Sequence, residues 1–169
     1  MRAKSGFTLV EILIVLVILG ILAAIVIPQF TSASTEAKES ALVSDLQAVR
    51  SQIELYKVQH NDNLPGVANG THIAGGGFAS AMTTATDQDG NPGGRFGPYI
   101  QRIPDNPFST AVGQENAVGT GTAKKNTTTV GDNSTGWWFV TSGADAGLFQ
   151  ANDNKSNELV DPIVPHTAY

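Results

Sequence analysis

The 169-residue chain has no cysteine, which excludes disulfide scaffolds, Cys-ligated zinc, haem attachment through cysteine and thiol catalysis. Charge is scarce as well: Asp, Glu, Lys and Arg make up 15%, against a usual share of about 25%. The formal net charge is -5, and without clustered Lys and Arg a sequence-independent grip on nucleic acid is excluded. Signatures of catalysis are missing too. There is no Gly-x-Ser-x-Gly, no His-Glu-x-x-His, no Walker A and no complete Gly-x-Gly-x-x-Gly before a helix. His60, His72 and His166 fall in three separate segments without ligand spacing, and each reads as a surface or turn residue. No internal repeat is present. With 41% hydrophobic residues and a mean hydropathy of -0.05, the chain is too apolar for a disordered tail and too polar for a multi-span membrane protein. Its length suits one globular domain.

The apolar residues are crowded at one end. Residues 1–6 carry Arg2 and Lys4 and no acid, and from 12 to 27 every residue is apolar or glycine. Residues 7–27, broken only by Thr8 and Glu11, would span about 30 Å as a helix, the thickness of a bilayer core. The basic leader would stay cytoplasmic and the remainder would face outward. A secretory signal has an apolar run of about 7–15 residues followed by a small-residue cleavage site. Here Ala23 and Ala24 are followed by Ile25, Val26 and Ile27, so an uncleaved anchor fits better. Glu11 stands out, because a carboxylate at the bilayer centre costs about 2.5–3.5 kcal/mol and suggests a functional partner.

A basic leader, Gly6, then Phe7-Thr8-Leu9-Val10-Glu11 and a long apolar run with Pro28 resembles the class III signal of type IV pilins and type II secretion pseudopilins. The resemblance implies cleavage between Gly6 and Phe7 by a prepilin peptidase on the cytoplasmic face, and N-methylation of the new amino terminus at Phe7. It implies that the apolar segment is retained, first as a membrane anchor and then as the filament core. The chemistry agrees. Glu11 lies four residues after the amine that cleavage would expose at Phe7, and neither charge alone is tolerable inside a packed helix bundle. Pairing them between adjacent subunits offsets both desolvation costs and fixes the axial register.

From Gln29 to about residue 60 the pattern stays helical. Leu42, Leu46, Val49, Ile53 and Tyr56 form one apolar stripe, which Ala33, Ala37 and Ala41 extend backward. Glu36, Lys38, Glu39, Asp45, Arg50, Glu54 and Lys57 are assigned to the opposite face, with Arg50 and Glu54 spaced for an ion pair. Fewer than three heptads favour packing on a small domain over a coiled-coil seam. Pro28 removes one backbone donor and predicts a kink or loosened turn. Asn61-Asp62-Asn63-Leu64-Pro65-Gly66 predicts the helix stop.

Beyond it lies a glycine-rich stretch in which Phe78, Ala79, Ala81 and Met82 predict a short helix. Gly97-Pro98-Tyr99-Ile100-Gln101-Arg102-Ile103-Pro104-Asp105-Asn106-Pro107-Phe108 predicts an ordered connector that plugs the core. It is similar to the Gly-x-Tyr-Leu-x-x-Leu-Pro-x-x-Pro stretch of major pseudopilins. Residues 109–136 are rich in Thr, Gly and Asn. Trp137 to Ser142 reads as a strand, with a turn and a return over Leu148 to Asn152. Trp137 and Trp138 read as a core residue beside a half-covered one. The tail from residue 153 is expected to wrap the surface or fray.

Asp87-Gln88-Asp89-Gly90-Asn91 superficially suggests a calcium loop, but the glycine is at the wrong place and no bidentate Glu follows, so a solvated turn is expected. Asn69, Asn126 and Asn133 match N-glycosylation acceptors, in a context that the leader marks as bacterial.

The expected fold is α+β and pilin-like, with a long N-terminal helix, apolar then amphipathic, packed on a small antiparallel sheet. Residues 1–6 are the leader, 7–30 the transmembrane and filament-core helix, and 31–169 the globular domain. The expected function is structural: a subunit of a helical pseudopilus for type II protein secretion, without enzymatic activity. The partners implied are further copies of itself, the prepilin peptidase, an inner-membrane assembly platform, and minor pseudopilins or pilins, with no nucleic acid. The location implied is the bacterial inner membrane as a single-pass precursor with the globular domain outside the cytoplasm, then a periplasmic or cell-surface filament. Lack of a C-terminal cysteine pair and the Pro-rich connector favour this over a type IV pilus pilin for adhesion or motility. A membrane-anchored binding module that never polymerises, using Trp137 or Trp138, is the rival of another class. No cofactor is expected. Major pseudopilins commonly hold a calcium ion in a C-terminal loop, for which Asp132, Asp145 and Asp153 are the candidates here.

Overall fold

A helix that is apolar on every side and then on one side only accounts for the first third of the chain. The computed structural model describes residues 6–68, 71–72, 77–122, 124, 133–153, 156–157 and 164–165. Helix α1 runs from Leu9 to Gln59 and continues through Pro28. Proline cannot donate to the carbonyl four residues back. Around it the hydroxyls of Thr31, Ser32 and Thr35 bond back to the carbonyls of Ile27, Pro28 and Thr31 at 3.2–3.3 Å. The helix stops at Asn61 and Asp62, with φ of 53° and 64°, the left-handed conformation that Asn and Asp tolerate. The Asp62 N–H closes the end by donating to the Lys57 carbonyl at 2.9 Å.

The chain divides into two compact units, Met1–Ala37 and Lys38–Tyr169. In the second, the stripe Leu42, Leu46, Val49, Ile53 and Tyr56 is buried. It shares one core with Phe78, Ala81 and Met82 of helix α2 (Gly77–Thr83), Ile103, and Trp137, Phe139, Phe149 and Ala151 of the sheet. Phe78 stands 4.6 Å from Phe139 and 5.4 Å from Phe149, ring centre to ring centre. The stripe starts at Glu39, which is buried, and not at the alanines, because Ala33, Ala37 and Ala41 are all exposed. Period has overridden polarity: 39, 42, 46, 49, 53, 56 and 60 alternate spacings of three and four, so Glu39 and His60 fall on the buried side. His60 is therefore not a surface residue; its exposure is 0%. Arg50 also leaves the charged face. Its Nε and Nη2 both donate to the Phe149 carbonyl, at 3.0 and 2.7 Å, and Glu54 takes Lys57 at 3.1 Å.

Short pairs β1 (Val67–Ala68) with β2 (Thr71–His72), and β6 (Ser156–Asn157) with β7 (Val164–Pro165), are antiparallel. The main sheet joins β3 (Val118–Gly121), β4 (Trp137–Val140) and β5 (Phe149–Ala151) in the order β3-β4-β5. It is mixed, not antiparallel throughout as expected. β4 and β5 are antiparallel, with Trp137 opposite Ala151, but β3 is parallel to β4, with Val118 opposite Trp137. A parallel neighbour needs a crossover of about a dozen residues, which residues 122–136 provide. Trp138 shows why β3 contains glycines. Its ring lies over Gly119 and Gly121, and a Cβ on Gly119 would come within 2.8 Å of it. Trp137, on the other face, is fully buried, and its Nε1 donates to the Pro104 carbonyl at 2.8 Å.

Candidate functional site: the N-terminal segment

The first turn of α1 is built by its own sequence. Thr8 stands just before the helix and Glu11 three residues on. The Glu11 N–H donates to Thr8 Oγ1 at 3.2 Å. Thr8 N–H and the Thr8 hydroxyl both donate to Glu11 Oε2 at 2.8 Å. This is a capping box, which satisfies two backbone donors reciprocally. Its Thr-x-x-Glu signature is present in the sequence as Thr8-Leu9-Val10-Glu11. The box holds the carboxylate at the helix N-terminus, where the macrodipole favours an anion. It lies next to Phe7, which is 85% exposed.

Past that turn the helix surface is apolar all round, and none of the described residues buries it. Leu9, Leu16, Ile27 and Phe30 are 79%, 64%, 65% and 73% exposed. One window of 18 residues in α1 has a mean hydropathy of 3.3, long and apolar enough to cross a membrane. A monomeric soluble protein rarely leaves a continuous apolar surface of this size uncovered, so this segment calls for an apolar covering that the described residues do not supply. Gly6 precedes it, is exposed, and has nothing near the place of a Cβ.

The other candidates do not gather. Asp132 and His166 lie outside the described residues, as do Asn69 and Asn126. Asp145 Oδ1 accepts from Lys124 Nζ at 3.2 Å. Asp153 is fully buried, and its Oδ2 accepts from Asn106 Nδ2 at 2.8 Å. Among the described residues no three His, Asp or Glu side chains could hold a metal together, so Asp145 and Asp153 do not make a calcium site by themselves. The Asp87 turn closes on itself: Asp87 Oδ1 accepts from the N–H groups of Asp89 and Asn91 at 3.0 and 2.8 Å. Those bonds, the Asn91 side-chain amide first, hold the Asp87 carboxyl below the usual carboxylate range. Asn133 is tied by its side chain to Ser109 and Thr110.

His60 is part of an aromatic cluster that its sequence position did not announce. Its ring stacks on Tyr56 at 3.7 Å, and Nδ1 and Nε2 meet the Tyr56 carbonyl and Thr86 Oγ1 at 2.9 and 3.0 Å. Burial pushes the Tyr56 phenol up to about 12. Both ring nitrogens of His60 are occupied by structural partners, which leaves it nothing to catalyse with.

Residues 1–27 match the model of the prokaryotic N-terminal methylation motif. The chain is 35% identical over 112 residues to the type II secretion system core protein G of Dickeya chrysanthemi, covering 63% of this chain and 65% of that protein. It is 33% identical over 107 residues to core protein G of Aeromonas hydrophila, covering 63% and 69%. With that of Klebsiella pneumoniae it shares 33% over 110 residues, covering 65% and 73%. The match spans about two thirds of the length of these relatives. No solved structure matches the chain significantly. An exposed apolar helix behind a methylation motif, continued by a stripe that packs on a small mixed sheet, thus comes with kinship over most of the chain, and the chain belongs to the family of type II secretion system core protein G.

Proposed function

We propose that this chain is a structural subunit that polymerises into a helical pseudopilus serving type II protein secretion, with no enzymatic activity of its own. One observation carries the reading. The apolar surface of α1 before residue 31 has no cover among the described residues, and its one acid, Glu11, lies four residues after the amine that cleavage behind Gly6 would create. In a single-pass precursor, lipid covers that surface and the globular domain stays outside the cytoplasm. In the filament, the same segments of neighbouring copies replace lipid. There, Glu11 pairs with the N-methylated Phe7 amine of an adjacent subunit. Taking either charge away leaves the other buried alone, a loss of about 3–5 kcal/mol.

A prepilin peptidase, an inner-membrane assembly platform and minor pseudopilins complete the set of partners. The names of the relatives favour secretion over a type IV pilus. The non-polymerising module built on Trp137 or Trp138 is disfavoured, because Trp137 is sealed in the core and Trp138 lies against the β3 glycines. Mass spectrometry of the mature protein tests the processing step, with the chain expected to begin at Phe7, one methyl heavier than the bare sequence. A mature protein that still begins at Met1, or begins after Ala24, contradicts the proposal.

A further inference from the structure

The turn that follows β4 carries Asp145, one of the calcium candidates, and its Oδ1 is already engaged. The parallel pairing of β3 with β4 makes both strands end on the same side. Thr141 confirms the alignment: its N–H and its hydroxyl both donate to the Gly121 carbonyl, at 2.8 and 3.1 Å. The chain leaving β3 therefore runs along the turn of residues 142–148, close enough that a Cβ on Gly143 would sit 3.1 Å from the Thr122 carbonyl. Two residues further, Lys124 reaches Asp145, with Nζ 3.2 Å from Oδ1. The two side chains are 44% and 38% exposed, so solvent screens the pair in part.

We propose that Lys124 is the built-in cation of this turn, holding Asp145 in the position an exchangeable calcium ion would otherwise occupy. Calcium needs six to eight oxygens at about 2.3–2.6 Å. Several carbonyls in and beside the turn accept from its own amides: Val140 from Gly147 N–H at 2.8 Å, Asp145 from Leu148 N–H at 3.1 Å and Gly143 from Ala146 N–H at 3.3 Å. An ammonium brings three donors and one positive charge, suited to a single carboxylate with few free oxygens around it. It also excludes a metal from Oδ1 by charge and by volume. Asp153 lies at the other end of the β4–β5 hairpin, beside Gly136, where its Oδ2 accepts from Asn106 Nδ2. The turn is then fixed by a covalently attached cation, and its order does not depend on the calcium concentration outside the cell.

The test uses the full chain in detergent micelles, unpolymerised, so that it is independent of the filament reading. Amide exchange at Gly147 and Leu148 and thermal melting are followed in a calcium chelator, in millimolar calcium and in about 1 M salt. For the wild type, chelator and calcium should give the same exchange and the same melting temperature. Lys124→Gln should speed exchange at the two amides about two- to fivefold, the range of a partly exposed ion pair. High salt should move the wild type toward the variant. Slower exchange or a higher melting temperature of the wild type in calcium than in chelator would overturn the proposal. So would a Lys124→Gln turn that exchanges like the wild type.

Discussion

The two halves of α1 have the same backbone and opposite solutions to the same problem. Before residue 31, apolar side chains occupy every side of the helix and are exposed. After residue 38 one apolar stripe is buried, from Leu42 at 0% to Tyr56 at 0%, and only Leu55 and Val58 of the large apolar side chains there stay exposed. A stripe can be covered by a sheet and a short helix lying on one side. A surface that is apolar all round can be covered only from all round, by lipid or by several neighbours. The first half is thus unfinished within one chain, and the second is complete. The proposed association rests on the half that the described residues do not bury.

Leu46→Ala and Ile18→Ala should break that symmetry most strongly. Leu46 is 1% exposed, and its truncation should cost about 2–5 kcal/mol in denaturant unfolding of the full chain in micelles. Ile18 is 51% exposed, and its truncation should leave the same unfolding transition within about 0.5 kcal/mol. Equal losses from the two would mean that the first half is packed by its own chain.

A smaller effect is expected at Tyr56. Its hydroxyl is buried and, among the described residues, has no hydrogen-bond partner. Tyr56→Phe removes an unsatisfied group at nearly constant shape, so the variant should be as stable as the wild type or up to about 1 kcal/mol more stable. The matching titration should show one tyrosine ionising only near pH 12, because burial, with Tyr99 and Asp87 adding to it, raises Tyr56 to about 12. A loss of stability in Tyr56→Phe would place a bonding partner on the hydroxyl.

The smallest effect is a pH dependence at the Asp87 turn, in the domain into which the second half of α1 packs. Asp87 has a folded pKa below its unfolded value, so it contributes stability that is fully present above about pH 4 and is lost as pH falls through the lower folded value. Asp87→Asn should flatten that part of the stability-versus-pH curve. An acid limb that is identical in the variant would assign it to other carboxylates.

The comparison also shows what a sequence makes legible. Both halves of α1 and the helix stop at Asn61-Asp62 could be read because periodicity and turn chemistry are local. So could α2 and the β4–β5 pair, marked by short apolar runs between glycine turns. β3 could not. Val118-Gly119-Thr120-Gly121 has a composition that strands avoid, and it is a strand because the Trp138 ring needs the space that two absent side chains leave. That missed strand is also why the sheet was expected to be antiparallel throughout. Glu39, Arg50 and His60 were placed by polarity on the outside, while helix period and distant partners such as the Phe149 carbonyl draw them in. At the N-terminus the motif was legible in full, but Glu11 was given one role where the structure shows another as well. Before any neighbour arrives, it caps its own helix through Thr8.

The central claim is that Glu11 governs assembly and not insertion, and the direct measurement is the ratio of sheared filament to membrane-inserted subunit. Wild type, Glu11→Gln and Glu11→Ala are compared at equal expression. Alanine makes the segment more apolar, so insertion should be unharmed or improved. It also leaves the neighbouring Phe7 amine unpaired, and about 3–5 kcal/mol per contact is enough to stop polymerisation at modest subunit concentration. Glutamine keeps the shape and part of the hydrogen bonding, and should retain more filament than alanine. The account predicts inserted subunit in all three and a filament yield falling from wild type through glutamine to alanine. Filaments of normal yield from Glu11→Ala would contradict it, and would show that apolar packing alone sets the register.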